Sequence, residues 1–268
     1  MNISFLFVTC CLEQSRSDVL PDVVANILEQ APELKEQLIV FDNGSTQPGV
    51  RTLLCDSFKN VFGCETNVGY WTAIDWWLSN CVNFEYTYII ESDMMHYQFN
   101  RIYQCESYLD KNPQIGAVRL HEYSVANRHL YNKDIPHADS RRTLWLSHTN
   151  KVNNKPVAIE YGEGDIWNAS FLTQLPALNR SATMKRAFAK LHELNSFCEL
   201  DFQRFYYDEY QVNAILDGGL FNCPLSSYGS KTLTGSWSSE AELRSVGYKS
   251  TRYARIIPSS QYKVTSLK

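Results

Sequence analysis

A chain of 268 residues, of which 44% are hydrophobic and 20% charged, has the balance of a globular protein large enough to bury a substantial core. No apolar stretch approaches the length of a membrane span, and the first residues lack the basic start of a signal peptide, so we expect no transmembrane segment. The net charge of −4 indicates no particular partner, and the eight cysteines include no CxxC pair, which argues against a zinc ribbon and favours the reducing cytoplasm.

The first half of the chain alternates strand and helix patterns. Continuous apolar runs predict strands over residues 3–9, 37–42, 60–65, 86–92 and 115–123. Helical stripes lie between them, over residues 17–30, 50–58, 70–82 and about 99–111, the first capped by Ser17 or Asp18. This alternation predicts an α/β fold with a doubly wound, mostly parallel central sheet flanked by helices.

The second half is less regular. Residues 124–165 are polar and predict loops, and helices are expected over about 182–195 and 199–217. No linker is evident, so we expect a single domain over residues 1–268, with a first half at about 1–118 and a second half at about 119–268.

Small polar and acidic groups follow the predicted parallel strands. They are Thr9 after the first, Asp42 after the second, Asn67 and Gly69 after the third, and Glu91-Ser92-Asp93 after the fourth. Doubly wound sheets bind ligands at the carboxyl ends of their strands, so these positions are the candidate site.

Glu91 and Asp93 are two residues apart, and in an extended chain both side chains point the same way. Two adjacent carboxylates favour a hard cation such as Mg²⁺ or Mn²⁺, which usually bridges to a phosphate, so a nucleotide diphosphate is the expected partner. The alternative is that the strand simply ends at the protein surface and that Glu91 and Asp93 are ordinary solvent-exposed acids.

Three segments in this order, LIVFDNGST, NVGYWTAIDWWL and YTYIIESDMM, resemble the family 2 glycosyltransferases with the GT-A fold. The resemblance implies that Thr9 and Asp42 lie by the nucleotide, and that Asn67 and Gly69 lie near the donor. It also implies that Asp93 binds the metal as the second acid of a D-x-D motif. Glu91 replaces the first acid of that motif, and Asn43 replaces an Asp of the second motif.

The family also has an acidic pair on a later helix, one member of which is the catalytic base. Asp208 and Glu209 match it by their spacing to the Gly-Gly and Pro that follow, with Glu209 preferred. Glu199 and Asp201 are the rival pair. A positioned carboxylate would take the proton of the acceptor hydroxyl, while the metal stabilises the leaving diphosphate, and in-line attack inverts the anomeric centre.

The resemblance thus implies a metal-dependent, inverting glycosyltransferase that uses a nucleotide-diphosphate sugar, with UDP the commonest carrier in the family. Trp237 is expected on a loop that closes over the donor, and Lys231 near the diphosphate. The alternatives are another nucleotide-sugar enzyme, such as a nucleotidyltransferase, and a non-catalytic module that binds a nucleotide or glycan.

The acceptor is open between a glycan, a lipid and nucleic acid. Residues 119–155 contain seven Lys or Arg against three acids, and residues 243–268 contain six against none. Such basic segments suit an anionic acceptor, and a hydroxymethylated base in viral DNA is the minority hypothesis. The other interpretation is two solvated faces.

Overall fold

The computed structural model describes residues 2–120, 143–149, 156–169, 177–194, 199–222 and 256–268. Its helices are α1 (Gln14–Gln30), α2 (Leu34–Gln37), α3 (Val50–Ser57), α4 (Tyr70–Asn80), α5 (Ile102–Lys111), α6 (Ser181–Glu193) and α7 (Glu199–Glu209). Its strands are β1 (Ile3–Thr9), β2 (Ile39–Asn43), β3 (Asn60–Cys64), β4 (Tyr86–Glu91), β5 (Met95–His96), β6 (Ala117–Arg119), β7 (Thr143–Thr149), β8 (Pro156–Glu163), β9 (Ile166–Ala169), β10 (Ala177–Arg180), β11 (Asn213–Leu216), β12 (Phe221–Asn222) and β13 (Thr265–Ser266).

The main sheet has the strand order β13-β3-β2-β1-β4-β10-β6-β11-β9-β8-β7 in the described residues. Strands β3, β2, β1 and β4 are parallel, and β6 pairs with β11 in parallel. Strand β10 is antiparallel to both β4 and β6 and joins the two parallel groups, and β9, β8 and β7 extend the sheet as an antiparallel meander. The parallel arrangement predicted for the first half is therefore confirmed.

Helices cover both faces of the sheet, because its central strands are apolar on both sides. All seven residues of β1 are buried. One apolar cluster packs α1, α3 and α5 on one face, and a second packs α4, α6 and α7 on the other. This layering confirms the doubly wound α/β fold expected from the continuous apolar runs.

Three predicted boundaries are corrected. Helix α1 begins at Gln14, with Glu13 as its N-cap, and neither Ser17 nor Asp18 caps it. The last predicted helix ends at Glu209 rather than at 217, since the apolar run NAIL that follows forms β11. The region expected to be loops contains the strands β7 and β8.

A second, two-stranded sheet pairs β5 with β12, and it joins the segment after Asp93 to the segment after β11. Residue 118 lies within β6, so the main sheet contains strands from both predicted halves of the chain. The division of the chain into two functional halves at that point stays a prediction. All six cysteines in the described residues are free thiols. None of the described helices is both long and apolar enough to cross a bilayer.

Candidate functional site

The carboxyl ends of β1, β2 and β4 lie side by side. Thr9 pairs with Asp42 in the register of β1 and β2, and Val8 pairs with Glu91 in the register of β1 and β4. We call this side of the sheet the carboxyl edge, and the side where Tyr86 begins β4 the amino edge. The parallel register therefore brings together the strand ends that the sequence singles out.

Asp42 lies beneath the carboxyl edge rather than on its surface. Its side chain is 0% exposed, its Oδ2 accepts a hydrogen bond from Arg51 Nε at 2.8 Å, and its Oδ1 accepts one from the Ser45 backbone N–H at 3.1 Å. Arg51 also donates to the backbone oxygen of Cys64 at the end of β3, at 2.7 Å. Asp42 thus ties the loop after β2 to β3, and a ligand meets this loop before it meets the carboxylate.

Asn67 and Gly69 form a turn packed against β1 and β2. The Asn67 Oδ1 accepts a hydrogen bond from the Gly69 N–H at 2.8 Å, and its Nδ2 donates to Cys10 Sγ at 3.2 Å. Gly44 approaches this turn so closely that a Cβ there would lie 2.3 Å from the Asn67 nitrogen. The strand ends of β1, β2 and β3 therefore form one tightly packed wall.

Glu91 and Asp93 occupy the turn after β4. Tyr70, the first residue of α4, donates its hydroxyl to Glu91 Oε1 at 2.8 Å. Burial raises the pKa of the Asp93 carboxyl above its usual value, and the positive charge of Arg16 at the start of α1 partly opposes that shift. Asp93 is thus a desolvated carboxylate at the mouth of the site, which a cation would stabilise in its charged form.

The binding of a divalent cation by Glu91 and Asp93, shared with a ligand, stays a prediction. Mg²⁺ is usually held by one or two carboxylates together with substrate phosphates, rather than by a cage of protein groups. No group of three or more His, Cys, Asp or Glu suited to a metal is found among the described residues. Asp93 and Glu91 would therefore supply part of the coordination sphere, and ligand oxygens the rest.

Glu209 and Asp208 lie at the other side of the sheet. Arg186 donates to both carboxylate oxygens of Glu209, at 2.9 and 2.6 Å, and Thr183 adds a hydrogen bond at 3.1 Å. Both partners belong to the start of α6, which follows β10, and Arg180 of β10 pairs with Tyr86 at the amino edge. The structure does not bring Glu209 or Asp208 together with Glu91 and Asp93, and their role as the catalytic base stays a prediction.

The beginning of α7 lies at the carboxyl edge instead. The Phe202 ring is 5.7 Å from the ring of Trp71, and Trp71 follows Tyr70, the residue that binds Glu91. Asp201 directly precedes Phe202 and is half-buried. Because a helix that leads into a parallel strand starts at the carboxyl edge, the rival pair Glu199 and Asp201 is on the side of the candidate site.

Lys231 and Trp237 lie outside the described residues, and their roles stay predictions. The same holds for most of the two basic segments on which the nucleic-acid acceptor depends.

Sequence reasoning missed Tyr70, Arg16 and Arg51 as residues of this site. Tyr70 had a usable signal, because it directly follows the Asn-x-Gly turn that a nucleotide site would need close to β4. Arg16 had none, since only the sheet order brings the start of α1 beside the turn after β4. Arg51 had none either, since its spacing from Asp42 does not indicate that the two side chains meet across the loop after β2.

No family model matches the chain, and no curated protein matches it. Among solved structures it is similar to S. aureus TarS 1-349, with 14% identity and a TM-score of 0.49 over 90% of this chain and 68% of that one. It is also similar to TarS 1-349 in complex with UDP-GlcNAc, at 16% identity and a TM-score of 0.49 over 83% and 58%. A longer TarS chain, at 15% identity and a TM-score of 0.48, is covered over 36% of its length, so this chain spans about a third of it. The fold described above is assigned from strand order and register and not from these likenesses.

Proposed function

We propose that the chain is a glycosyltransferase that moves a sugar from a UDP-sugar to an acceptor hydroxyl with a divalent metal ion. The observation that carries this proposal is the gathering of Thr9, the Asn67–Gly69 turn and the Glu91–Asp93 turn at one edge of a parallel sheet. Sheets of this class bind nucleotides at that edge, and the three segments resemble those of family 2 glycosyltransferases.

Asp93 and Glu91 would hold Mn²⁺ or Mg²⁺ against the diphosphate of the donor. The bound ion supplies Lewis-acid stabilisation of the leaving nucleotide diphosphate. Tyr70 fixes the orientation of Glu91 through its hydroxyl. Arg16 adds a positive charge to the same region, where the phosphates of the donor would lie.

The catalytic base in this proposal is Asp201, with Glu199 as its rival on the same turn of α7. A general base must reach the acceptor hydroxyl next to the donor, and Phe202 places this turn beside Trp71 and the carboxyl edge. Glu209 is poorly suited to that role because the Arg186 guanidinium holds the pKa of its carboxyl below the usual value. Attack by the deprotonated hydroxyl on the face opposite the diphosphate would invert the anomeric centre.

The first test is a thermal-shift and hydrolysis experiment with wild-type protein and Asp93→Asn. UDP and UDP-GlcNAc are the first ligands, since TarS has been crystallised with both, and other nucleotides and nucleotide-sugars serve as comparison. We expect Mn²⁺ to raise the melting temperature together with one uridine nucleotide, because a ligand that binds only the folded state stabilises it. We also expect slow release of UDP and free sugar when water is the acceptor.

Asp93→Asn should abolish the part of the shift that depends on Mn²⁺ and cut hydrolysis by about a hundredfold or more, as losses of transition-state charge stabilisation do. The control is Asp56→Asn, an exposed acid on α3 away from the edge, which should behave as wild type. A shift without hydrolysis would favour a nucleotide-binding module, and formation of UTP and sugar 1-phosphate when pyrophosphate is added to the UDP-sugar would favour a nucleotidyltransferase. No shift with any nucleotide would overturn the proposal.

A further inference from the structure

The turn that carries Glu91 and Asp93 runs directly into β5, which has only two residues. The turn itself is closed by one backbone hydrogen bond, from the Met94 N–H to the Glu91 oxygen at 3.2 Å. So short a connection has little stiffness of its own. The position of Asp93 therefore depends both on β4, which ends at Glu91, and on whatever holds β5.

On one side β5 is held by β12, in which Phe221 pairs with His96. The ladder continues with a hydrogen bond from the Tyr97 N–H to the Leu220 oxygen, at 3.1 Å. The other side of β5 faces α1, where Asn26 takes the place of a neighbouring strand. Its Nδ2 donates to the His96 oxygen at 2.8 Å, and its Oδ1 accepts from the His96 N–H at 2.7 Å.

The carboxamide of Asn26 thus satisfies both backbone groups of a residue that is 2% exposed. Buried backbone groups without partners are costly, so this pair of bonds fixes β5 to α1 in one position. The His96 ring adds a third anchor, because its Nε2 lies 2.9 Å from the hydroxyl of Tyr88 on β4. Asn26 itself lies in the second half of α1, where it bonds the backbone of His96 rather than Glu91 or Asp93.

We propose that Asn26 is a positioning residue for the metal-binding turn, which it holds through the backbone of His96. This inference rests on the proposed function, in which Glu91 and Asp93 bind a metal ion that also binds the diphosphate of the donor. The same mechanism operates in known metal sites, where groups that orient the ligands affect metal affinity without touching the ion. Asn26 thereby links the position of α1, which follows the β1 loop, to the position of Asp93.

The test is calorimetric titration of UDP into wild type and Asn26→Asp, with Mn²⁺ and with EDTA. The aspartate keeps the acceptor for the His96 N–H but replaces the donor to the His96 oxygen by a repelling carboxylate oxygen. We expect UDP affinity in Mn²⁺ to fall about 10-fold or more, as second-sphere changes at metal sites do. The affinity for UDP in EDTA should stay within about twofold of the wild-type value, because the wall formed by the ends of β1, β2 and β3 is unaltered.

The matched control is Asn60→Asp, which also loses a hydrogen bond from Nδ2 to a backbone oxygen, that of Glu36 at 2.8 Å, but at the exposed start of β3. It should leave both affinities unchanged. Tyr88→Phe is the second variant if Asn26→Asp does not fold. It removes only the ring anchor of His96, and we expect a smaller loss in the same direction.

A folded Asn26→Asp that binds UDP with Mn²⁺ as tightly as wild type overturns the inference and leaves the proposed function standing. If Asn26→Asp does not fold, a folded Tyr88→Phe that binds UDP with Mn²⁺ as tightly as wild type overturns the inference in the same way. An equal loss in Mn²⁺ and in EDTA also overturns it, because the effect would then not pass through the metal-binding turn. Wild-type protein that binds no UDP in Mn²⁺ overturns the proposed function and this inference together.

Discussion

The carboxyl and amino edges of the sheet both place acids near arginines, but they hold them differently. At the amino edge, Glu209 receives two hydrogen bonds from Arg186 and one from Thr183, and these lower the pKa of its carboxyl. At the carboxyl edge, burial raises the pKa of Asp93, and the charge of Arg16 offsets this only in part. An acid bonded to an arginine within the protein contributes to stability, whereas an acid whose pKa is raised at the strand ends is a candidate for binding a ligand.

The largest expected difference between the edges is catalytic. Asp201→Asn should lower hydrolysis of the UDP-sugar by about 10² to 10⁴, the usual contribution of a general base. UDP binding should be nearly unchanged, because the base contacts the acceptor and not the nucleotide. The measurement is the initial rate of UDP release alongside calorimetric UDP titration.

Glu199→Gln serves as the comparison on the same turn of α7. Full activity in Asp201→Asn with loss in Glu199→Gln would assign the base to Glu199. Loss of hydrolysis in Glu209→Gln, with both others active, would contradict the division between the two edges.

Substitutions at the amino edge should lower the stability of the fold rather than its activity. The Arg180 guanidinium donates to the backbone oxygens of Leu109, Asn112 and Ile115 at 2.9 to 3.1 Å. Arg180→Met would leave these groups without their donor, and we expect a loss of about 3 kcal/mol in the free energy of unfolding. Urea denaturation measures this loss.

The control for Arg180→Met is Arg204→Met, an exposed arginine on α7, which should change stability by about 0.5 kcal/mol or less. UDP binding of folded Arg180→Met should equal that of wild type. A selective loss of UDP binding would show that the amino edge also serves the ligand.

The smallest expected effect is that of Glu209→Gln on stability. Because the pair with Arg186 is partly exposed, its removal should cost about 1 kcal/mol or less at pH 7. The pKa of Glu209 is lowered in the folded state, so its contribution is present above the unfolded pKa and is lost as pH falls through the folded one. Melting temperatures of wild type and variant should therefore converge as pH falls below about 4. A difference that persists in acid would contradict the ionic origin of the contribution.

The parallel half of the fold was predictable because strands buried on both faces are apolar throughout. The run from Ile3 to Thr9 has one plausible structure, and so does the run from Tyr86 to Glu91. The strands of the second half lack this signal. The apolar run Asn213–Leu216 fits the end of a helix as well as a strand, and only its pairing with β6 and β9 decides.

The strand-end residues were predictable for the same reason, since the parallel order puts consecutive strand ends together. The choice between the two acidic pairs was not predictable, because the spacing to later glycines does not say which end of a helix meets the carboxyl edge. Topology does, since α7 leads into β11, which runs parallel to β6, and must finish at the amino edge. Glu209 at its last turn is therefore remote from Asp93, and Asp201 at its first turn is near.

The close approach of Gly44 to Asn67 also limits how this cleft can be redesigned. Gly44 has a φ of 72°, which disfavours other residues, and any added carbon would strike the backbone of the Asn67 turn. Substitution of Gly44 therefore cannot be used to reshape this side of the candidate site. Cys10, directly after β1, is the more adjustable position, because its hydrogen bond with Asn67 is made by its side chain.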